Sequence, residues 1–293
     1  MKTVVVLGFA LFLTPPSQLI AQSQSIAQKS IESKSVEALQ AEALDFANRG
    51  RHQDAAEALR QVTRLRPNDP SAHYQLGVEL NELSLYIDAS ESLSRSLQLD
   101  PANAVAQRQL CVVRYNLKQY SQAAESCQLA IRLKGDFSLA YHDLAISLFE
   151  AGKTEEAFDA VRQAIKLQPD FAEAHDTLGY FQYKSGNLNE AVESLKQAIK
   201  IRPEYAEAHN DLAIVLYRMH RYSESVEFLA RATELRPHYA QAYYNLGVAY
   251  AALKRKDAAL ETYRKLASFD PTMANKLFEE LFKEKVVIAR GSN

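Results

Sequence analysis

Several kinds of residue are scarce in this sequence, and each scarcity excludes a class of protein. The 293 residues include two cysteines and no tryptophan. Two cysteines are too few for a framework of disulfides or for a zinc site built from several cysteines. Glycine and proline number 9 each, and 47% of the residues are hydrophobic. The composition is therefore neither collagen-like nor that of a disordered chain.

No charge of one sign dominates. The 34 basic and 36 acidic residues give a net charge of −2. A general nucleic-acid binder needs a basic face that displaces counterions from phosphates, so nucleic acid is not an expected partner. The chain has no glycine-rich phosphate loop, no Gly-x-Ser-x-Gly and no His-Glu-x-x-His motif. We therefore expect neither an enzyme nor a bound cofactor.

The longest uncharged apolar run lies near the start, over Val4–Leu13. It is shorter than the roughly 20 residues that a membrane span requires. The run predicts a signal peptide over residues 1–21 and export to the periplasm or the medium. Cleavage is expected after Ala21, although Leu19 stands where a small residue is preferred, or after Ala27, a better-shaped but more distant site. An uncleaved membrane anchor and a merely apolar start are the alternatives. Residues 22–35, rich in serine and glutamine, are predicted to be a flexible linker.

Everything after this segment repeats with a period of 34 residues, which indicates stacked structural units. Prolines mark the period at Pro67, Pro101, Pro169, Pro203, Pro237 and Pro271, with Gly135 in the one vacant place. The sequence divides into seven repeats: 36–69, 70–103, 104–137, 138–171, 172–205, 206–239 and 240–273.

Each repeat, counted from position 1, has the pattern of two helices joined by a short turn. Apolar residues follow the i, i+3, i+4, i+7 spacing of helices. Position 8 is always small and position 20 is alanine or serine, which would let the two helices approach closely. The turn falls near position 15, where glycine suits a left-handed helix stop. That position holds Gly50, Ser84, Lys118, Gly152, Gly186, His220 and Lys254.

This pattern resembles the tetratricopeptide repeat family. Leu-Gly at positions 7 and 8, alanine at position 20 and proline at position 32 match its consensus, and the likeness covers residues 36–273. The tryptophan expected at position 4 is missing. The resemblance implies an all-α, right-handed superhelical solenoid of seven helix-turn-helix pairs. Residues 274–293 would form a capping helix and tail, and five apolar residues would cover the last repeat: Met273, Leu277, Phe278, Leu281 and Phe282.

In this family the first helix of each pair lines a concave groove. The resemblance therefore implies that positions 5, 9 and 12 of repeats three to six bind an extended peptide or a partner protein. These residues are Arg108, Val112, Tyr115, His142, Ile146, Phe149, Asp176, Tyr180, Tyr183, Asn210, Ile214 and Tyr217. The expected function is a non-catalytic scaffold or adaptor outside the cytoplasm. Two alternatives stay open: the aromatic row could bind polysaccharide in a cell-envelope factor, or it could simply pack against adjacent helices.

Two groove types known in this family are not expected. A chaperone-tail clamp needs lysine at position 5 and asparagine at position 9, and no repeat has that pair. A sugar-transferase type needs an asparagine ladder at position 6, where only Asn245 is asparagine. Asp143 and Asp211 share position 6 two repeats apart, so no catalytic carboxylate pair is expected. His73, His175 and His209 share position 4, one layer or more apart, and are expected to pack in place of tryptophan rather than to bind metal.

Cys111 and Cys127 occupy positions 8 and 24 of repeat three. On two antiparallel helices these positions lie about equally far from the turn, and export would permit a disulfide between them. Two small buried core residues are the alternative.

Overall fold

The computed structural model describes residues 35–290, with side chains described over 35–281. All regular structure in this range is helical, as the sequence predicts. The predicted signal peptide and nearly all of the predicted linker lie outside the described residues. The helices are α1 (Val36–Asn48), α2 (His52–Leu65), α3 (Pro70–Glu82), α4 (Tyr86–Leu99), α5 (Ala104–Asn116), α6 (Tyr120–Leu133), α7 (Ser138–Glu150), α8 (Thr154–Leu167), α9 (Ala172–Lys184), α10 (Leu188–Ile201), α11 (Ala206–Arg218), α12 (Tyr222–Leu235), α13 (Ala240–Ala252), α14 (Lys256–Ala267) and α15 (Pro271–Arg290).

The chain divides into two compact units, one ending at Leu99 and the other beginning at Asp100. In the first unit, α1 to α4 pack in sequence as two helix pairs. Side-chain caps fix where the first helices of these pairs begin. The Asp69 carboxylate accepts the backbone N–H groups of Ser71 and Ala72 at 2.9 and 3.2 Å, with Pro70 in the first turn of α3. Proline is favoured there because its missing N–H has no helical partner in any case.

The turns inside the helix pairs have the predicted left-handed backbone. The φ angle is 70°, 80° and 86° at Gly50, Gly152 and Gly186. The four other residues at position 15 also have positive φ, between 59° and 60°. Only glycine takes up this conformation without steric cost, so the non-glycine turns are mildly strained. The four non-glycine residues are Ser84, Lys118, His220 and Lys254.

Small residues at position 8 bring paired helices into close contact, as predicted. A Cβ atom on Gly77 would lie 2.6 Å from Cγ of Leu93, and one on Gly179 would lie 2.6 Å from Cγ of Leu195. Leu93 and Leu195 are both fully buried. Glycine at position 8 therefore makes room for leucine at position 24 of the same repeat.

In the second unit the helix pairs stack so that the first helices of successive pairs lie closer together than the second helices do. The first helices of successive pairs, from α5 to α13, contact each other in turn, whereas no comparable contact joins the successive second helices of the described range. A stack with this asymmetry curves, and the first helices line its inner side. The sequence positions predicted to line a groove therefore lie on the concave side of this unit.

Helix α15 closes the end of the second unit. It packs on both α13 and α14, in the place that the first helix of a further repeat would take. Leu277 is fully buried, and a Cβ atom on Gly247 would lie 2.6 Å from its Cδ2. Met273 and Leu281 join the same cluster, while Phe278 is 41% exposed. The side chain of Phe282 lies outside the described residues. Across residues 35–290, the helices lack an apolar stretch of the length that crossing a bilayer demands.

Candidate functional site

The predicted groove residues form two rows on α5, α7, α9 and α11. Position 9 supplies Val112, Ile146, Tyr180 and Ile214, and position 12 supplies Tyr115, Phe149, Tyr183 and Tyr217. Tyr180 is the most open of them, at 37% exposed, and the other seven are half-buried. The rows thus combine apolar area with partial access from the groove, which is the character of a binding surface rather than of a sealed core.

Most rings of the aromatic row also pack within the protein. The ring of Phe149 stacks on Phe181, with centroids 4.1 Å apart and an interplanar angle of 4°. Tyr115 contacts Tyr120 with centroids 5.4 Å apart, and Tyr217 contacts Tyr222 at 5.0 Å. These neighbours fix the ring orientations and occupy part of each ring's surface.

The polar residues at position 5 form a ladder with position 6 of the following repeat. The guanidinium Nε of Arg108 donates to Oδ2 of Asp143 at 2.6 Å. His142 Nε2 and Thr177 Oγ1 are 2.9 Å apart, and Asn245 Nδ2 donates to Oδ1 of Asn210 at 2.8 Å. Three rungs are therefore complementary hydrogen bonds. Asn210 is only 2% exposed, so its amide serves the ladder rather than offering an open contact to a partner.

The remaining rung, between repeats five and six, joins two acids. Asp176 occupies position 5 and Asp211 occupies position 6, and the two interact electrostatically. The Oδ1 atom of Asp176 is buried and has no hydrogen-bond partner among the described residues. Asp211 accepts the Asn210 amide at 3.0 Å. Within residues 35–281, no salt bridge reaches either carboxyl group.

Two arginines near the rung pair with glutamates rather than with its aspartates. Arg202 pairs with Glu173 at 2.5 Å, and Arg236 pairs with Glu207. Burial, together with the neighbouring Asp211, raises the pKa of Asp176 to about 8. Burial likewise raises the pKa of Asp211 to about 6. The rung therefore keeps a proton near neutral pH, because two buried carboxylates cannot both ionise without a counter-charge.

A small cavity opens between α11 and α13, next to this rung. Its volume is about 120 Å³, and Ile214, Tyr217 and Val248 supply much of its apolar lining. Asn245, Ser225 and the cationic Arg218 also line it. The same Asn245 amide bonds to Asn210, which in turn bonds to Asp211. Hydrogen bonds therefore connect the cavity lining, through Asn245 and Asn210, to Asp211. We call the Asp176–Asp211 pair the acid rung.

Cys111 and Cys127 are joined by a disulfide that links α5 to α6, with Cα atoms 5.4 Å apart. Both residues are fully buried. They occupy positions 8 and 24, the same positions that hold Gly179 and Leu195 in repeat five. The disulfide therefore lies behind the groove, where it braces repeat three.

Family models match most of the repeat region. The tetratricopeptide repeat model matches residues 41–104 and 210–274, a second model of the same description matches 139–171, and a TPR repeat model matches 179–220. The chain belongs to the tetratricopeptide repeat (TPR) family. No curated protein matches the sequence.

Solved structures share the TPR fold at low sequence identity. MamA residues 41 to the end from Desulfovibrio magneticus RS-1 is 21% identical, with a TM-score of 0.54, over 59% of this chain and 98% of that one. Pseudomonas aeruginosa pilF is 18% identical, with a TM-score of 0.61, over 72% and 97%. A chain of the APC/C hetero-tetramer Cut9–Hcn1 is 15% identical, with a TM-score of 0.66, over 90% and 52%. These likenesses show the fold.

Position 4, where the TPR consensus has tryptophan, holds histidine in three repeats, and each histidine makes a local hydrogen bond. The Nε2 atoms of His73, His175 and His209 lie 3.0, 3.0 and 2.9 Å from the carbonyl oxygens of Pro67, Pro169 and Pro203. Each histidine thus hydrogen-bonds the proline that ends the preceding TPR. Burial lowers the pKa of His209. Among the described residues there is also no group of three or more potential metal-binding side chains.

The repeat pattern predicts that the position 5 residues line the TPR groove, but it does not predict the residues that they contact. Asp143 and Asp211 lie two repeats apart and do not act together; each interacts with a different residue one repeat earlier. These contacts could have been predicted from a spacing of 35 residues, which separates position 5 of one TPR from position 6 of the next. The missed members are Asp143, Thr177, Asp211 and Asn245.

Proposed function

We propose that this chain is a non-catalytic scaffold that binds an extended segment of a partner protein in the groove of residues 104–273. TPRs serve as protein-interaction modules, and the observation that carries this assignment is the inner face itself. There, the half-buried rows at positions 9 and 12 flank a cavity of about 120 Å³. Such a cavity suits one apolar side chain, and partly exposed tyrosines give large contact area at low entropic cost.

The ring contacts favour a protein partner over the polysaccharide alternative. Binding of sugars by stacking needs an open ring face, but Phe149 stacks on Phe181 and two of the tyrosines pack on neighbouring tyrosines. One face of the Phe149 ring is therefore covered, and the rings of Tyr115 and Tyr217 are partly covered by their neighbours. Such partly covered rings suit an irregular peptide better than the flat face of a sugar ring.

Site-specific photo-cross-linking tests the groove assignment. A photoreactive phenylalanine analogue would replace Tyr180 in the groove or, as a control, Leu129 on α6. The two side chains are equally exposed, at 37%. We expect a cross-link from position 180 to a defined protein segment, lost when Tyr183→Ala and Ile214→Ala are added, and none from position 129. Equal labelling from both positions, with helicity unchanged, would contradict the proposal.

We also propose that the scaffold acts outside the cytoplasm. The apolar run at Val4–Leu13 supports this location, and so does the Cys111–Cys127 disulfide, because disulfides persist mainly in oxidising compartments. Fractionation of the source cells followed by intact-mass measurement tests it. We expect the chain outside the cytoplasm with its first residues removed after Ala21 or Ala27. A full-length chain in the cytoplasm would refute export.

A further inference from the structure

The acid rung, Asp176 with Asp211, lacks the donor–acceptor hydrogen bond that each of the other rungs has. Arg108–Asp143, His142–Thr177 and Asn210–Asn245 each pair a donor with an acceptor within the protein. Asp176–Asp211 pairs two acceptors, and Oδ1 of Asp176 is buried without a partner. An unpartnered buried carboxylate oxygen is costly, so its retention needs an explanation, and a donor from a bound ligand would supply one.

The surroundings specify the charge of that donor. Three acids interact electrostatically with Asp176: Glu173 on α9, and Glu207 and Asp211 on α11. Arg202 and Arg236 neutralise only the two glutamates. Tyr205 donates a hydrogen bond to the Asp176 carboxyl group, whose Oδ1 still has no partner. Neither Tyr205 nor Tyr239 brings positive charge, so the two aspartates are left as a local excess of negative charge. A cation is therefore the complementary ligand.

The position of the rung shows how a ligand would reach it. Asp176, Tyr180 and Tyr183 follow the i, i+4, i+7 spacing, so they share one stripe of α9. Tyr180 on that stripe is 37% exposed. On the other side, the bonds from Asp211 through Asn210 to Asn245 lead to the apolar cavity. The ligand site thus has a mostly apolar cavity next to it, with Arg218 also in the lining. A bare metal ion could not use the apolar part of this cavity.

We propose that Asp176 and Asp211 bind a basic side chain, lysine or arginine, of the segment held in the groove, with an adjacent apolar side chain of that segment in the Ile214–Val248 cavity. This inference rests on the proposed function and specifies its ligand. Either cation can donate to both carboxylates at once, through the ammonium or the guanidinium group. Arrival of the cation removes the reason for the rung to hold a proton, so binding releases that proton to the solvent.

Synthetic peptides test the proposal with the full chain. The probes are ten-residue peptides that differ only in one central residue, flanked by leucines: lysine, arginine, glutamine or glutamate. The test variant is Asp176→Asn/Asp211→Asn. The control, Glu156→Gln/Asp159→Asn on the exposed side of α8, makes the same two kinds of substitution away from the groove. Calorimetry in two buffers of different ionisation enthalpy gives affinity and proton release together.

We expect the lysine and arginine peptides to bind the unaltered chain and the control about tenfold or more tightly than the glutamine peptide, which corresponds to about 1.4 kcal/mol. About one proton should be released near pH 7. The asparagine variant should lose both the preference and the proton release. The groups facing Asp176 that bear on the titration are Asp211, Glu173, Glu207 and Tyr205.

Three results would overturn the proposal in distinguishable ways. If apolar peptides bind but the basic residue adds nothing, the groove proposal survives and the cation site fails. If no peptide binds any form of the folded chain, both fail. If Ca²⁺ alone binds and releases the proton, and the asparagine variant loses that binding, the rung belongs to a metal ion.

Discussion

Repeats three and four differ from repeats five and six although they occupy equivalent positions in one stack. In the earlier pair, Arg108 and Asp143 neutralise each other at 2.6 Å, and Cys111 and Cys127 join the two helices of repeat three covalently. In the later pair, Asp176 and Asp211 repel each other, and Gly179 with Leu195 replaces the disulfide. The same positions satisfy internal contacts in one region and leave a contact open in the other.

The difference shows how a repeat protein can separate stability from binding. Each repeat contacts mainly its neighbours, so a local cost in one rung is carried by the interfaces on either side. Repeat four, which flanks repeat five, is held on its other side by the Arg108–Asp143 rung, and repeat three has the disulfide. We therefore expect substitutions in the earlier region to weaken the fold, and substitutions in the acid rung to strengthen the fold while they weaken binding.

The largest effect should come from the contact that replaces the disulfide in repeat five. Leu195→Ala removes a fully buried side chain that packs on Gly179. The cavity should cost about 3–4 kcal/mol of unfolding free energy. Urea unfolding followed by circular dichroism measures it, with Leu129→Ala, on an exposed side of α6, as the control. A loss for Leu195→Ala no greater than that of the control would show that repeat five does not depend on this contact.

The disulfide should come next. It joins residues 16 apart in sequence, and closing a loop of about 15 residues is worth about 3 kcal/mol. Reduction should lower the unfolding midpoint of the unaltered chain but not that of Cys111→Ser/Cys127→Ser. Alkylation without reductant, read by mass, provides an independent check. Two labelled thiols in the native protein would show that the bridge is absent in solution.

The compensated rung should have a smaller effect. Asp143→Asn leaves Arg108, which is 24% exposed, without its counter-charge. Charge-assisted hydrogen bonds of this kind are worth about 2 kcal/mol. A double-mutant cycle with Arg108→Gln isolates the pairwise energy. A coupling energy within experimental error of zero would mean that the rung is merely a surface contact.

The sequence was sufficient to predict the elements of this fold, because each is fixed by local constraints that recur with the period. Glycine at position 15 permits positive φ, and glycine at position 8 permits the approach of leucine at position 24. Both features appear at Gly179 and Gly186 of repeat five. The capping role of Leu277 follows from the same apolar spacing continued past the last repeat.

The roles of the groove residues were harder to predict, because they depend on contacts between repeats. Helical periodicity places Asp176 and Asn210 on equivalent faces, yet one keeps an unpartnered oxygen and the other is sealed in the ladder at 2% exposure. What separates them is the residue at position 6 of the next repeat, Asp211 in one case and Asn245 in the other. A reading of each repeat by itself cannot show that pairing, whereas the 35-residue spacing can.

The stability effect of opposite sign belongs to the acid rung. Since folded Asp176 holds its proton up to about pH 8, whereas the unfolded side chain loses it near pH 4, the folded state binds more protons between those values. The stability of the unaltered chain should therefore fall as the pH rises through this range.

Asp176→Asn removes the titrating group. The unfolding free energy of this variant should therefore exceed that of the unaltered chain by an amount that grows from near zero at pH 4 to about 1 kcal/mol or more at pH 8. Urea unfolding at pH 4, 6 and 8, with Glu156→Gln as the control, measures this difference. Parallel stability profiles for the unaltered chain and the variant would mean that the two aspartates do not share a proton, and the contrast between the two regions would then be steric rather than electrostatic.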